Sequence, residues 1–341
     1  MEDLPPLQPS DIVPQLYREV YTRLKNHVDA SAGHPGTHIA VLGNTYSGRD
    51  LLISRIAEDY PDAAFHTLTS PVTDVASELG SYDGVPFLFL RNAQFLATPR
   101  IGGFDPLESF QAFLAGTKTS VISGWNTSAW NYYAAVTGID AYQHRVVEIP
   151  PFTAGQLKTA IHDHYGETIG YVNDASLRSA FIDTAITRKV AIPFTQRRIA
   201  IPWFFFDPNI LASVVNRQDK NANPENAVFL RLTRIAEGNS GVAAALWNAS
   251  LQYPEIRISR IRDPPVVERL SVDERHVLAV ILMLESASPD ELFGILGKET
   301  GQVLYLLRSR GIIEDVEGRV RIRLIMANSV LNYLRRMRMV T

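Results

Sequence analysis

The fold of this chain is decided by the stretch His38-Ile39-Ala40-Val41-Leu42-Gly43-Asn44-Thr45-Tyr46-Ser47-Gly48-Arg49-Asp50-Leu51-Leu52. An apolar strand is followed by a glycine, four residues, a second glycine and the start of a helix, which is the frame of the Gly-x4-Gly-Lys-Ser/Thr phosphate-binding loop. Two residues depart from the pattern, because Arg49 replaces the lysine and Asp50 replaces the hydroxyl residue. The stretch therefore predicts a strand–loop–helix unit in which the phosphate-binding chemistry is altered.

The two replacements leave the role of this loop open. Arg49 keeps the positive charge of lysine but has a larger, planar guanidinium group, and Asp50 places a carboxylate where phosphates would be repelled. Either backbone N–H groups and the helix N-terminus still hold a phosphate, or the segment is only a turn between strand and helix. The candidate ligand-binding residues here are Gly43, Asn44, Thr45, Tyr46, Ser47, Gly48, Arg49 and Asp50.

Strands and helices alternate after this loop. Short apolar runs at 64–68, 85–90, 119–124 and 145–149 predict strands, and helical patterns lie between them. Continuous apolar runs are typical of buried parallel strands, and a strand–helix alternation favours a parallel sheet covered on both faces. The predicted fold class is α/β, with a three-layer parallel sheet core that begins at the P-loop-like turn, a helical lid and a C-terminal winged-helix domain.

Four segments are predicted along the chain. They are an N-terminal helix (1–36), the P-loop NTPase-like α/β core (37–150), a helical lid (151–263) and a winged helix (264–341). In the lid, helices are predicted at 153–165, 175–188 and 229–250, and the apolar run 199–206 is interpreted as lid core or as a partner-binding surface. In the last segment, three helical patterns at 271–285, 288–296 and 299–310 precede a hairpin at 311–323.

Composition excludes several classes of protein. The 341 residues include no cysteine, which excludes disulfides, zinc–thiolate sites and thiol catalysis. The net charge of −3 gives no global basic field that would indicate a nucleic-acid partner. No run approaches the roughly 18 apolar residues of a membrane helix, so membrane insertion is not expected and we predict a cytoplasmic protein.

The order of glycine-rich loop, apolar strands, lid and winged helix resembles the AAA+ and STAND ATPases, in particular the branch with the archaeal origin-recognition ATPases. The segment Val121-Ile122-Ser123-Gly124-Trp125-Asn126 is similar to the sensor-1 strand of that family, which implies that Asn126 is the sensor residue. The segment Glu237-Gly238-Asn239-Ser240-Gly241-Val242-Ala243 is similar to the entry of the lid helix that carries sensor 2. The resemblance implies ATP or ADP as the cofactor.

The resemblance also identifies a second altered motif. In the family, the strand at 85–90 would end in Asp followed by Asp or Glu, which bind Mg²⁺ and polarise water, whereas this chain continues with Arg91 and Asn92. A cation at the metal position and an amide that cannot act as a base imply that Mg²⁺ is not a cofactor and that hydrolysis is absent or weak. We hypothesise that Asp50 and Arg91 form a salt bridge in place of the metal; the alternative is that both side chains face solvent.

The C-terminal segment carries a local stripe of arginines. The candidate nucleic-acid-binding residues are Arg308, Arg310, Arg319, Arg321 and Arg323. Such a stripe suits contact with phosphates, but the helix at 299–310 is poor in side chains that read bases. Duplex DNA and a protein partner therefore remain alternative ligands of the winged helix.

Three functions are compatible with these residues. The favoured one is a regulatory or scaffolding subunit of the ATPase family that acts through its winged-helix and lid surfaces, with a protein partner or a homo-oligomer. The first alternative is an active ATP-dependent DNA-binding switch in which Arg49 replaces the lysine. The second is a protein-only adaptor that binds no nucleotide.

Overall fold

The computed structural model describes residues 5–166, 169–174, 223–297 and 299–340 in full, and the backbone of 185–191 and 198–204. The N-terminal segment contains two helices, α1 (Pro9–Leu16) and α2 (Arg18–Ser31), where one continuous helix was predicted. Two contacts tie this segment to the lid: the hydroxyl of Tyr17 donates to the carbonyl of Gly238, and the backbone of Leu7 is bonded to the side-chain amide of Asn248.

The core is a five-stranded parallel sheet. Its strands have the order β2-β3-β4-β1-β5. They are β1 (Ile39–Gly43), β2 (Ala64–Thr67), β3 (Phe87–Arg91), β4 (Ser120–Asn126) and β5 (Arg145–Glu148). The first strand pairs with β4 so that Gly43 lies opposite Asn126, which brings two predicted site residues to the same sheet edge.

Helices cover both faces of this sheet. Neighbouring strand residues enter different hydrophobic clusters: Ala40 and Leu42 pack on one face, and Ile39 and Val41 pack on the other. This is the physical reason for continuous apolar runs, because every residue of a doubly covered strand is buried. The predicted three-layer α/β core is confirmed. Its helices are α3 (Arg49–Ala57), α4 (Val75–Leu79), α5 (Asp105–Gly116) and α6 (Thr127–Thr137).

The lid region contains strands as well as helices. The predicted helix at 175–188 is wrong from Ala185 onward, because β7 (Ala185–Ala191) pairs with β8 (Arg198–Phe204) in an antiparallel hairpin. Residues 175–184, and the side chains of the apolar run at 199–206, lie outside the described residues. The other elements are α7 (Ala154–Tyr165), β6 (Gly170–Val172), α8 (Pro224–Ala236), α9 (Ser240–Ser250), β9 (Leu251–Gln252) and β10 (Glu255–Arg257).

The C-terminal segment has three helices, a hairpin and a final helix. The first two helices begin at capping boxes, in which Ser271 pairs with Glu274 and Ser288 pairs with Glu291. The elements are α10 (Val272–Leu284), α11 (Pro289–Leu296), α12 (Gly301–Ser309), β11 (Ile313–Val316), β12 (Arg319–Ile322) and α13 (Ala327–Arg336). The bounds of α10, α11, α12 and the hairpin lie within two residues of the predicted ones, and α13 was not predicted.

The C-terminal segment is docked on both the core and the lid. Its α10 contacts α6 of the core, and residues of α10, α12 and α13 share a hydrophobic cluster with β3 and β4. The side-chain amide of Asn328 donates to the carbonyls of Ile235 and Ala236 at the end of α8. Within the described ranges, no helix combines the length and the hydropathy that a membrane span requires.

Candidate functional site

The glycine-rich loop connects β1 to α3 at the carboxyl edge of the sheet. Gly43 ends β1, and a side chain there would place its Cβ 2.5 Å from the hydroxyl oxygen of Ser47. Gly48 has a φ of +89° and touches Val13 of the N-terminal segment, where an added Cβ would lie 2.5 Å from a methyl group. Both glycines are therefore required by the shape of the loop, which keeps the frame expected of a phosphate-binding turn.

Arg49 is directed inward, and only 3% of its surface is exposed. Its Nε donates to Asp50 at 2.8 Å, and its two terminal nitrogens donate to the two carboxylate oxygens of Glu285 at 3.1 and 3.0 Å. A fourth contact, of 3.4 Å, reaches the side-chain oxygen of Asn92. The guanidinium that replaces the motif lysine is thus held by two carboxylates of the same chain.

Glu285 comes from the C-terminal segment, immediately after α10. Its backbone lies in the left-handed region, with a φ of +66°, which is uncommon for a residue other than glycine. This conformation ends the helix and directs the carboxylate toward the loop. One oxygen of Glu285 also accepts a hydrogen bond of 3.0 Å from the amide of Asn126. Glu285 is not among the residues predicted for the site, although it makes the central contact of the site.

The charges of this cluster stabilise one another. Burial alone would lower the pKa of the Arg49 guanidinium, but the negative charges of Asp50 and Glu285 raise that pKa above its ordinary value. Burial would likewise raise the pKa of Asp50, but the Arg49 guanidinium and the charge of Arg91 hold that pKa below its usual value. Arg49 and Asp50 are therefore both charged at neutral pH, which suits a buried ion pair that is fully hydrogen-bonded.

The predicted ion pair between Asp50 and Arg91 is present. A terminal nitrogen of Arg91 lies 3.7 Å from one carboxylate oxygen of Asp50, while the nearer partner of Asp50 is Arg49. The guanidinium of Arg91 also lies 5.9 Å from the ring centre of Phe65. Asn92, which follows on the chain, has a φ of +58° and donates to the carbonyl of Leu68. The end of β3 thus carries a cation that is paired with Asp50, as the salt-bridge hypothesis predicted.

Asn126, predicted as the sensor residue, lies in the same cluster. Its amide nitrogen donates to the hydroxyl of Thr45 and to Glu285, each at 3.0 Å. Its carbonyl oxygen accepts from the backbone N–H groups of Ser128 and Ala129, which caps α6. The residue therefore links the loop, the core sheet and the C-terminal segment.

A cavity of about 390 Å³ lies beside the loop. Gln94, which is fully buried, and Ser47, which is 5% exposed, both line it. The side-chain nitrogen of Gln94 and the hydroxyl of Ser47 have no hydrogen-bond partner among the residues that the structure describes. Buried polar groups are ordinarily hydrogen-bonded, so these two atoms mark a place where a ligand or water would be accepted.

The carboxylates near the loop are paired with arginine and form no cluster of metal ligands within the described residues. In the part of the chain that the structure describes, no group of three or more His, Cys, Asp or Glu side chains could hold a metal ion. The two carboxylates near the loop, those of Asp50 and Glu285, both pair with Arg49. The two terminal nitrogens of Arg49 are thus occupied by the carboxylate of Glu285.

The five arginines predicted to contact DNA all pair with carboxylates of this chain. Arg319 holds both oxygens of Glu291, and its guanidinium lies 5.4 Å from the ring centre of Phe95. Glu314 accepts from Arg321 at 2.7 Å and lies 3.9 Å from Arg323. Arg308 pairs with Asp315, and Arg310 pairs with Glu274. Four carboxylates of the C-terminal segment thus pair with the five arginines, which balances most of the positive charge of the stripe.

Comparison with known proteins gives likenesses in structure only. RuvB from Thermotoga maritima, a Holliday junction branch migration motor, is 15% identical, with 91% of this chain and 93% of that chain covered and a TM-score of 0.40. The Orc1 protein of Aeropyrum pernix, solved in complex with DNA, is 16% identical. The match covers 98% of this chain and 95% of that chain, with a TM-score of 0.37. A signal transduction ATPase with numerous domains from Pyrococcus horikoshii is 10% identical. The match covers 90% of this chain and 41% of that chain, with a TM-score of 0.31.

No protein-family model and no curated protein matches the chain. At the TM-scores above, the likeness is weak, and the architecture is established instead by the parallel strand order and the position of the loop after β1.

Proposed function

We propose that this protein is a non-hydrolysing or weakly hydrolysing member of the AAA+/STAND-type ATPase class that works as a regulatory or scaffolding subunit. The contact between Arg49 and Glu285 carries this proposal. The guanidinium that would hold a phosphate is already paired with a carboxylate, and carboxylates and phosphates compete for the same two-pronged geometry of arginine. The nucleotide position thus serves as an attachment point for the C-terminal segment.

The loss of magnesium chemistry supports the same proposal. Phosphoryl transfer in P-loop proteins depends on a metal held by a hydroxyl and a carboxylate, and on a residue that orients the attacking water. The corresponding positions here are Asp50, Arg91 and Asn92, and the first two are paired with each other. An amide and an arginine at the strand end supply neither a metal ligand of the needed charge nor a base.

The exposed surface of the C-terminal winged helix favours a protein partner over duplex DNA. On α12, Tyr305 and Leu306 are exposed, and the five arginines nearby are paired with carboxylates. An aromatic residue flanked by neutral side chains suits a protein interface better than a phosphate backbone. DNA contact would require several of these ion pairs to open.

The test is the release of phosphate from ATP in the presence of Mg²⁺. We expect the wild type and Arg49→Ala to release phosphate at the same low rate. That rate would come from contaminating ATPases, which are present equally in both preparations. Turnover by the wild type that disappears in Arg49→Ala would overturn the proposal and favour the active switch. Thermal unfolding with ATP, ADP and Mg²⁺ adds a second measurement, since a ligand that binds only the folded state raises the unfolding temperature.

A further inference from the structure

We propose that Glu285 is an internal competitor of phosphate, so that a polyphosphate bound without Mg²⁺ and the docked C-terminal segment exclude each other at Arg49. The inference rests on the proposed function, because it assumes a site that binds without turnover. The ligand class is the diphosphate or triphosphate group, either free or as part of a nucleotide. The regulated property is the position of the C-terminal segment relative to the core.

The contact between Arg49 and Glu285 has the two-pronged form in which arginine also binds phosphate. Arg49 presents two nitrogens to the two oxygens of Glu285, and planar two-pronged recognition of this kind is shared by carboxylate and phosphate. The contact lies at the start of α3, a helix of nine residues whose N-terminus favours an anion. An anionic group is therefore already accepted at this position.

Independent evidence for a ligand comes from the two buried polar atoms without partners. Ser47 and Gln94 are both lining residues of the cavity beside the loop, and the hydroxyl of Ser47 and the side-chain nitrogen of Gln94 have no hydrogen-bond partner among the described residues. Both groups can donate hydrogen bonds, and donors suit the oxygens of a phosphate chain longer than the single carboxylate of Glu285. A diphosphate or triphosphate would satisfy them, whereas the docked glutamate leaves them unpaired.

The balance of charge changes when Glu285 leaves. The charged residues that line the cavity are Arg49, Arg321, Asp50 and Glu285, so two positive and two negative charges are present in the docked state. Arg321 belongs to the C-terminal segment and pairs with Glu314, so on the core side the release of Glu285 leaves Arg49 and Arg91 against Asp50, which is a net positive charge. The emptied site is then complementary to an anion, while the docked site is neutral.

The backbone around the cavity is held in uncommon conformations. Tyr46, Asn92 and Glu285 all have positive φ angles, of 64°, 58° and 66°, and all three line the cavity. Such conformations are strained and persist where the surroundings impose them. Glu285 adopts its conformation where α10 ends, next to its contact with Arg49.

Two further hydrogen bonds join the loop to the C-terminal segment that carries Glu285. The carbonyl of Leu282 on α10 accepts from the hydroxyl of Thr45, and the carbonyl of Ile322 on β12 accepts from the hydroxyl of Tyr46 at 2.6 Å. Both donors belong to the loop. A ligand that rearranges the loop therefore weakens these contacts together with the Arg49 pair. By linkage, the docked segment reduces the affinity for the ligand by the same factor.

The first experiment measures the binding of pyrophosphate and of ATP in EDTA to the full chain by calorimetry. Glu285→Gln keeps the shape of the side chain but removes its charge, and we expect it to bind on the order of tenfold more tightly than wild type. Glu291→Gln, which removes a carboxylate of the same segment that pairs with Arg319, is expected to bind as wild type does. Equal affinity of all three proteins, or the absence of binding to Glu285→Gln, would overturn the inference.

The second experiment needs no change at Glu285. The chain has no cysteine, so Ile101→Cys on the core and Tyr305→Cys on the C-terminal segment, both exposed positions, allow two spin labels to be attached. We expect saturating pyrophosphate to lengthen or broaden the distance distribution between the labels. A distribution that does not change with bound pyrophosphate would refute the inference. Magnesium-dependent turnover would instead refute only the proposed function.

Discussion

The guanidinium of Arg49 and the carboxylate of Glu285 meet through two contacts of 3.1 and 3.0 Å, although the two residues are 236 positions apart in the sequence. The contact joins the helix that follows the phosphate-binding loop to the end of the first helix of the C-terminal segment. Because Arg49 is 3% exposed, water screens the pair weakly. The stability of the domain arrangement should therefore respond directly to changes at either residue.

The first prediction concerns the loss of the carboxylate. Glu285→Ala leaves the buried guanidinium of Arg49 with Asp50 as its remaining charged partner. We expect the free energy of unfolding to fall by about 2 kcal/mol, which is less than the ~3–5 kcal/mol of a buried pair that loses its sole partner. Urea denaturation measures the change. Glu58→Ala, which breaks the exposed pair with Arg55, is the control and should match wild type. An unchanged midpoint for Glu285→Ala would contradict the prediction.

The second prediction places a second carboxylate beside Glu285. Asn126→Asp keeps the cap of α6 but replaces the donor that lies 3.0 Å from Glu285 with a negative charge. We expect a loss of about 2 kcal/mol at pH 7 relative to Asn126→Ser, which caps the helix without a charge. Two close carboxylates raise the pKa of one of them, so the difference should shrink as the pH falls toward 4. A difference that is independent of pH would show that charge is not its cause.

The third prediction uses the hydrogen bond between Tyr46 and Ile322. Burial raises the pKa of Tyr46 to about 12, above the value near 10 of an unfolded tyrosine. A group whose pKa is raised on folding contributes stability below its unfolded pKa, and this contribution is lost as the pH rises from about 10 to about 12. Between these two pH values, the free energy of unfolding of Tyr46→Phe should therefore fall by ~2–3 kcal/mol less than that of the wild type.

The control for this prediction is the exposed residue Tyr132, because Tyr132→Phe removes a phenol without removing a contact between segments. Other buried tyrosines titrate in the same direction, so the comparison of variants with wild type isolates the contribution of Tyr46. If Tyr46→Phe and wild type lose stability in parallel between pH 10 and pH 11.5, the buried hydrogen bond has no part in the pH dependence.

The fourth prediction concerns nucleic acid. Glu314 neutralises Arg321 and Arg323, so Glu314→Gln frees two cations on the hairpin of the C-terminal segment. We expect this variant to bind duplex DNA several-fold more tightly than wild type at about 50 mM salt, and to lose that binding at about 200 mM. Fluorescence anisotropy measures both. Glu58→Gln changes the net charge equally on the core surface and should bind as wild type does. Tight binding by wild type, unchanged in Glu314→Gln, would argue that DNA contacts other residues.

Most helices and strands were predicted from short-range patterns in the sequence. The bounds of α10 and α11 were predictable within two residues because Ser271 and Ser288 each begin a capping box, which is a short-range signal. The central strands were predictable because parallel strands that are covered on both faces are rich in apolar residues. The lid hairpin was missed because the alternation in Ala185–Ala191 follows residues with a helical pattern, and the pairing with Arg198–Phe204 is a tertiary preference.

The centre of the site was predicted in part. Asp50 and Arg91 were expected to approach because both follow elements at the carboxyl edge of one sheet, and they lie 3.7 Å apart. Glu285 was missed because an acidic residue after an apolar helix is common on protein surfaces, and no short-range pattern indicates a partner 236 residues away. A usable signal was the unmatched charge itself: a buried arginine at a motif position requires a carboxylate, and one aspartate does not satisfy five donors.

The close approach of Val13 to Gly48 has a consequence for how the chain can be divided. The N-terminal segment was predicted to be separate from the core, yet Val13 rests on the second glycine of the loop, Pro9 forms part of the cavity wall, and Tyr17 is bonded to the lid. A shortened chain that begins at residue 37 would expose the loop and open the cavity on one side. Binding and stability measured on such a fragment would describe an incomplete site.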